Sequence, residues 1–213
     1  EKLIKESNAF SEYGTFCHSI CEQYANNKLE IYELVDYYQK YYNQSVTSTF
    51  PYNRYLDLNK EYYNDGLKFF SNFDGLDDYH ILNVEHRFKY PIHNYGVLMG
   101  IIDLVYKDSN NNLIIHDWKS KSKFKNDKEL KEFARQLYLY SVEVFYLFRN
   151  EEPINIEFKY DELEETLEWF KSSILDIKDC KEWPPTYNPF FCRNLCAYKS
   201  SCPYLLGGMK DIN

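Results

Sequence analysis

The chain has 213 residues, of which 44% are hydrophobic and 19% aromatic, and its formal net charge at pH 7 is −8. This apolar content excludes an intrinsically disordered chain, and the length suits one domain with a sizeable core. The acidic balance excludes general attraction to polyanions, so a nucleic-acid surface would have to be local. No apolar run approaches a membrane span and there is no signal peptide, so we expect a cytoplasmic protein without membrane contact.

The six cysteines are unevenly distributed, with three of them close to the C-terminus. Together with the absence of a signal peptide, this favours a reducing compartment and metal or cluster ligation over disulfides. The sequence begins at Glu1 without a methionine. We therefore expect a fragment, or a chain whose first residues are missing.

The first predicted helix covers residues 11–26, with Ser11 or Thr15 as its cap. It carries His18, whose neutral imidazole is a good metal ligand. Glu22 lies one turn further on and is placed either to orient His18 or to face solvent.

Two more helices are predicted over residues 31–42 and 61–73, with their buried sides formed by Leu34, Val35 and Tyr38, and by Leu67, Phe69, Phe70 and Phe73. The polar stretch between them, residues 45–58, is a predicted loop. We expect the aromatic residues of this region to pack in the core, with stacking on nucleic-acid bases as the alternative.

Residues 80–90 alternate as a strand, with Glu85 on the polar face and the other face formed by Leu82, Val84, His86 and Phe88. A hairpin follows, with strands 97–107 and 113–119 around the turn formers at 108–112. If it closes symmetrically, its opposed pairs are Lys107 with Leu113, Val105 with Ile115, and Asp103 with Asp117.

Opposed side chains have Cβ atoms about 4.5–5.5 Å apart, so Asp103 and Asp117 would repel each other in an apolar sheet. Either one carboxyl group is protonated or a cation lies between the two. Lys119 projects from the same face as Asp117, because side chains alternate with period two. The lysines that follow form the basic stretch of an acidic chain and favour phosphate contact: Lys121, Lys123, Lys125, Lys128 and Lys131.

A long helix is predicted over residues 126–149, capped by Asn126 with Glu129. Gln136 and Tyr140 lie one turn apart and share one face of it. A strand over residues 153–160 and a last helix capped by Asp161 with Glu164 complete the core of the chain.

These motifs resemble the active site of the PD-(D/E)XK nuclease superfamily, with Asp103 as the first acid, Asp117-Trp118-Lys119 as D-x-K, and Gln136 with Tyr140 as Q-x-x-x-Y. Gly14, His18 and Glu22 resemble the helix that precedes the hairpin in RecB- and AddB-type exonuclease domains. Glu85 resembles the acid of a short "vE" motif before the first acid, where it supports the site or forms a plain ion pair. CRISPR-associated RecB-like exonucleases are similar.

The resemblance implies an α/β fold in which a central mixed β-sheet, a restriction-endonuclease-like core, is flanked by helices. It implies a single domain over residues 1–213. The parts would be mainly helical (1–78), a sheet core with the active site (79–178), and a Cys-rich metal or cluster segment (179–213).

The resemblance further implies a metal-dependent DNA exonuclease in repair, recombination or phage DNA processing, located in the host cytoplasm if a phage encodes it. His18, Asp103, Asp117 and the Trp118 carbonyl would hold Mg²⁺ or Mn²⁺, and Lys119 would position water or neutralise the phosphate. Gln136 and Tyr140 would hold the nucleotide or the attacking water. The implied partners are single-stranded or end-bearing DNA and a helicase or recombination protein. The alternative is a non-catalytic DNA- or partner-binding module of the same fold.

Cys192, Cys196 and Cys202 are close enough in sequence for their thiolates to converge on one metal; three buried free thiols are the alternative. The triplet resembles the C-terminal cysteines that bind a [4Fe–4S] cluster in AddB-type and CRISPR-associated nucleases. Its first spacing is one residue longer than the family's usual C-x-x-C. The fourth ligand would lie upstream, or be replaced by Cys17, Cys21 or Cys180. Zinc, and with it a zinc-ribbon interaction protein, stays open.

Overall fold

The computed structural model describes residues 6–120, 126–140, 159–183 and 185–206. Its longer elements are α1 (Ala9–Ala25), α2 (Leu34–Ser45), α3 (Leu58–Ser71), β1 (His80–Ile92), β2 (Gly96–Lys107), β3 (Leu113–His116), α4 (Asp127–Tyr140) and α5 (Tyr160–Asp179). Short helical pieces are the 3₁₀ turns Ile31–Glu33 and Lys199–Ser201, the π-helical turn Phe191–Leu195 and α6 (Pro203–Leu206). No helix in these ranges is long and apolar enough to cross a membrane.

The first three helices form one layer around an aromatic core. α1 begins after Asn8, whose side chain accepts from the Ser11 backbone at 3.1 Å while the Ser11 hydroxyl accepts from the Asn8 backbone at 3.2 Å. The predicted start at residue 11 is therefore two residues late, with Ser11 inside the capping box. Residues of the sheet, and Trp118 just after β3, belong to the same buried cluster, so α1 joins the helical layer to the sheet; the sheet residues are Leu104, Tyr106 and Ile114.

The described strands form an antiparallel sheet of order β1-β2-β3. The predicted pairs Lys107 with Leu113 and Val105 with Ile115 are confirmed. The predicted strand 113–119 is too long, since β3 ends at His116 and the D-x-K residues follow it. The mixed character of the predicted sheet is not seen in the described strands, and residues 153–158 of the predicted later strand lie outside the described part. Tyr160, which ended that prediction, begins α5.

β1 departs from plain alternation at two points. A register shift between Ile81 and Asn83 leaves Leu82, predicted on the same face as Val84, 41% exposed. Glu85 has a φ of 50°, a left-handed backbone conformation that residues other than glycine seldom adopt. The pairs on either side of it, Val84 with Leu104 and His86 with Ile102, put Glu85 opposite Asp103.

α4 begins where predicted, because the Asn126 side chain accepts from the Glu129 backbone at 3.0 Å. The part of that prediction beyond Tyr140 lies outside the described residues. α5 is preceded by Lys159 without a side-chain cap, so the predicted cap at Asp161 is wrong and Asp161 lies in the first turn. An acid there still interacts favourably with the helix dipole.

Candidate active site

Three side chains from three elements meet where β1 and β2 pack against α1. His18 of α1, Glu85 of β1 and Asp103 of β2 each present one ligand atom, and these atoms all lie within 4.8 Å of one another. His18 Nδ1 is 3.2 Å from Asp103 Oδ2. Two carboxylates and an imidazole form a donor set suited to a divalent cation, and the histidine shifts the preference from Mg²⁺ toward Mn²⁺.

Each ligand is held by the fold around it. His18 lies between Cys17 and Cys21 in sequence, and both of these thiols are buried in the core that fixes α1. Asp103 is only 7% exposed on the central strand. Glu85 reaches the group from a strained backbone, a conformation that costs about 1–3 kcal/mol and that clusters at functional sites.

The carboxylates of this group crowd each other. Burial raises the pKa of Glu85, the neighbouring Asp103 and Glu22 raise it further, and His18 and Arg87 oppose the rise. A cation between Glu85 and Asp103 would remove this repulsion. The residues present therefore fit a divalent metal ion.

The D-x-K residues lie beside this group without being part of its tight cluster. The Trp118 backbone N–H donates to Asp103 Oδ2 at 2.8 Å. Asp117 is 2% exposed, and its Oδ2 is 2.5 Å from Lys119 Nζ. Burial raises the pKa of Asp117; Lys119 opposes this and Asp103 adds to it.

The sequence pattern gives Glu85 either a supporting role or a plain ion pair, and it does not single out His116. The structure puts the Glu85 carboxylate in the ligand group, and its position opposite Asp103 was the signal that could have revealed it. His116 packs its ring 4.7 Å from that of Trp118, and burial lowers its pKa to about 3. Asp103 opposes that fall and His18 adds to it, so the His116 imidazole is neutral at pH 7.

The family model that matches this chain is that of the PD-(D/E)XK nuclease superfamily, and the match covers residues 1–203. The chain belongs to this superfamily. Most of its members are nucleases, so membership suggests a metal-dependent nuclease and implies DNA as the substrate. A comparison with curated proteins gives no match.

The Q-x-x-x-Y pair of this superfamily member lies on the last turns of α4. Gln136 Nε2 donates to Tyr140 Oη at 3.2 Å, and the Tyr140 ring meets Phe88 of β1 edge-on at 5.3 Å. A Cβ at Gly100 would lie 2.6 Å from the Tyr140 ring, so the close approach of α4 to β2 requires glycine there. One turn earlier, the Phe133 ring lies 5.2 Å from Lys119 Nζ. α4 thus contacts both the D-x-K lysine and the sheet.

Two lysines of the predicted basic stretch lie close to acidic side chains. Lys128 lies 4.0 Å from Glu132, and Lys131 lies 2.9 Å from Glu165. These acids offset the charges that were expected to contact phosphate. Lys121, Lys123 and Lys125 lie outside the described residues.

The three C-terminal cysteines are each partly exposed and lie on a segment joined to the start of α1. The Glu6 N–H donates to Ala197 O at 2.7 Å, and Asn8 Nδ2 donates to Leu195 O at 3.3 Å. Zn–S bonds of about 2.3 Å would bring tetrahedral thiolates about 3.8 Å apart. Within the described ranges, the triplet does not form a group with ligand atoms inside 4.8 Å of one another.

The other three cysteines differ in burial, and therefore in their suitability as a further metal ligand. Cys17 and Cys21 are buried in the core of α1, and burial raises the pKa of both thiols. Neutral, buried thiols are poor metal ligands, because the thiolate is the ligand form. Cys180 is exposed, and its thiol donates to Glu182 O at 2.9 Å.

Proposed function

We propose that this protein is a Mg²⁺- or Mn²⁺-dependent deoxyribonuclease that hydrolyses phosphodiester bonds at DNA ends. The observation that carries the proposal is the convergence of His18, Glu85 and Asp103, with ligand atoms within 4.8 Å of one another. A shared cation explains why side chains from α1, β1 and β2 converge here, because burial and mutual repulsion otherwise disfavour the two carboxylates.

The metal ligands in this proposal are His18, Glu85 and Asp103, joined by Asp117 and the Trp118 carbonyl. When bound, a divalent cation supplies Lewis acidity, which draws charge from phosphate oxygens and makes water a stronger acid. Asp103 has a second task, since its Oδ2 accepts the Trp118 N–H at 2.8 Å and so keeps the D-x-K residues beside it.

Lys119 has the role of a cation that stabilises the transition state at the phosphate. Its ammonium group pairs with Asp117 at 2.5 Å and lies over the Phe133 ring, so its position is fixed before substrate binds. A preorganised positive charge stabilises the extra negative charge that develops on phosphate oxygens in the transition state. Gln136 and Tyr140, joined by their 3.2 Å hydrogen bond, would orient the nucleotide or the attacking water.

The preference for DNA ends is inferred from the likeness to RecB- and AddB-type exonuclease domains, which extends from Gly14 to the cysteine triplet. The same likeness supports a [4Fe–4S] cluster on Cys192, Cys196 and Cys202. Zinc bound by the same three thiolates is the alternative. Repair, recombination or phage DNA processing, with a helicase or recombination partner, is the setting this implies.

A metal-titrated digestion tests the proposal. Linear and circular DNA, each single- and double-stranded, would be incubated with the wild type and with Lys119→Ala in Mg²⁺, Mn²⁺ or EDTA. We expect the wild type to degrade linear DNA with metal, to leave circular DNA intact, and to be inactive in EDTA. Lys119→Ala should bind DNA with unchanged affinity and cut it at least about 100-fold more slowly.

Two results would overturn parts of the proposal separately. Equal cutting by the wild type and Lys119→Ala would remove the catalytic role, whereas cutting of circular DNA would leave a nuclease but exclude strict dependence on ends. For the cluster, anaerobic purification should give a brown protein absorbing near 400 nm; a colourless protein with stoichiometric zinc would exclude it.

A further inference from the structure

The loop between α2 and α3, residues 46–57, exposes aromatic side chains to an unusual degree. We call it the tyrosine loop. Tyr52 is 93% exposed, Tyr55 73% and Leu56 50%. Exposure of aromatic rings to water is unfavourable, so several exposed rings on one loop are typical of a binding surface. An open cavity of about 350 Å³ lies against residues 50–59, within the range of about 300–1,000 Å³ of small-ligand pockets.

The base of the tyrosine loop is firmly attached to the helices. Phe50 is buried and stacks on Tyr62 with ring centroids 4.4 Å apart. Its N–H donates to Asn59 Oδ1 at 3.1 Å, while the N–H groups of Thr47 and Ser48 both donate to Glu12 at 2.8 Å. The loop tip therefore projects from an ordered base, so little conformational entropy remains to be lost when the tyrosines bind something.

The tip also carries a positive charge at the rings. The Arg54 guanidinium lies over the Tyr55 ring, 4.3 Å from its centroid, and donates to the Tyr55 hydroxyl. The carboxylate of this loop, on Asp57, accepts from the Asn59 and Lys60 backbones and so serves as the cap of α3. An arginine against the exposed Tyr55 ring, in a chain of net charge −8, is complementary to a base and its phosphate.

The tyrosine loop joins the end of α1 that precedes the candidate metal ligand. Phe50 contacts Tyr13 of α1 with ring centroids 6.4 Å apart. Tyr13 and His18 are five residues apart, about 7.5 Å along the helix axis at 1.5 Å per residue. The base of the loop therefore packs against α1 about one and a half turns before His18.

We propose that Tyr52 and Tyr55 stack on unpaired bases of the DNA substrate and that Arg54 contacts the adjacent phosphate, so the protein selects single-stranded DNA. This inference rests on the proposed function, because it takes DNA as the substrate. The single-strand preference follows from geometry: a duplex hides its base faces inside the stack, and only unstacked bases present a face to an aromatic ring. A protein partner is the rival occupant, but it would leave DNA affinity independent of these rings.

A binding experiment with matched variants tests the inference. Fluorescence anisotropy would follow a labelled twelve-nucleotide oligothymidine and a labelled blunt duplex, in EDTA so that neither is cut. Each lost stacked base is worth about 5- to 150-fold in affinity, so the double variant Tyr52→Ala/Tyr55→Ala should bind the single strand at least about tenfold more weakly. Tyr52→Phe/Tyr55→Phe should bind within about twofold of the wild type, because the ring faces remain.

Tyr32→Ala is the matched control, since Tyr32 is 77% exposed on the 3₁₀ turn Ile31–Glu33 near the other end of α1. It should bind like the wild type. Unchanged affinity in the double alanine variant, tighter binding of the duplex than of the single strand by the wild type, or an equal loss in Tyr32→Ala would overturn the inference. The digestion described above tests the proposed function separately. If the wild type and the double alanine variant cut DNA equally well, the proposed function stands and the stacking surface is excluded.

Discussion

The Trp118 backbone N–H donates to the Asp103 side chain at 2.8 Å, across fifteen residues of sequence. The ladder between β2 and β3 stops at the pair Leu104 and His116, and this bond continues the pairing where the strand has ended. Trp118 is 1% exposed, so a buried indole anchors the backbone that carries the neighbouring acid and lysine. Core packing thus sets the position of the D-x-K residues relative to the first acid.

This bond predicts a difference between two substitutions of Asp103. Asp103→Asn keeps an oxygen for the Trp118 N–H, whereas Asp103→Ala leaves that buried donor unpaired, which costs about 1–3 kcal/mol. Both should lose metal binding and activity. In EDTA, urea denaturation should show Asp103→Ala to be less stable than Asp103→Asn by about that amount. Equal stabilities would mean that water replaces the carboxylate and that the bond does not hold the segment.

Glu85 is expected to bind metal, and its neighbour Glu22 is not. Titration calorimetry with Mn²⁺ should show at least about a tenfold loss of affinity for Glu85→Gln. Glu22→Gln changes the same charge close by, on α1, and should stay within about threefold of the wild type. If both variants lost affinity equally, Glu85 would act only through the general negative potential, and the ligand group would need a different third member.

Glu12 is expected to make a pH-dependent contribution to the stability of the fold. Burial disfavours its charge, but hydrogen bonds from Ser7, Ser48 and Thr47 outweigh burial and lower its pKa from 4.5 to about 2. Because the folded pKa lies below the unfolded one, this stabilisation is complete above about pH 4.5 and is lost as the pH falls toward 2.

Urea denaturation of the wild type and Glu12→Gln would measure this contribution. At pH 7 the variant should be less stable by about 1–2 kcal/mol, given the partial exposure of the carboxylate. The difference between the two proteins should shrink steadily between pH 4.5 and 2. A constant difference over that range would show that the side-chain shape, and not its charge, holds the loop.

The packing around Gly66 predicts whether its replacement by alanine stabilises or destabilises the protein. In the middle of a helix, Gly→Ala ordinarily stabilises by about 1 kcal/mol. A Cβ on Gly66 would collide with the Tyr38 ring, which is fully buried and donates to Tyr63 O at 3.0 Å. Overpacking costs about 1–3 kcal/mol, so Gly66→Ala should destabilise the protein on balance.

Thermal denaturation would check this with Asn64→Ala as the control, because Asn64 is exposed on the same helix. The control should be neutral or slightly stabilising. A stabilised Gly66→Ala would mean that Tyr38 moves aside easily and that α2 and α3 pack less tightly than described.

Local sequence patterns were sufficient to predict the described helices and the hairpin. The alternation around the turn formers predicted the register of β2 with β3, since a one-residue slip would move the whole apolar set to the other face. Element ends were less reliable. α1 starts at Ala9 and α5 at Tyr160, both earlier than predicted, because capping depends on which nearby side chain satisfies the first N–H groups.

The amino-acid sequence by itself indicated the types of candidate ligand, their order and the register that brings an acid of β2 next to the D-x-K residues. Only the tertiary structure decided that Glu85 belongs with His18 and Asp103, because a left-handed backbone and a strand pairing bring it there. It also separated the aromatic residues that fill the core from Tyr52 and Tyr55, which are exposed. The physical reason is the same for both: composition and periodicity describe each residue by its neighbours in sequence, whereas ligation and exposure depend on atoms that folding brings from distant elements.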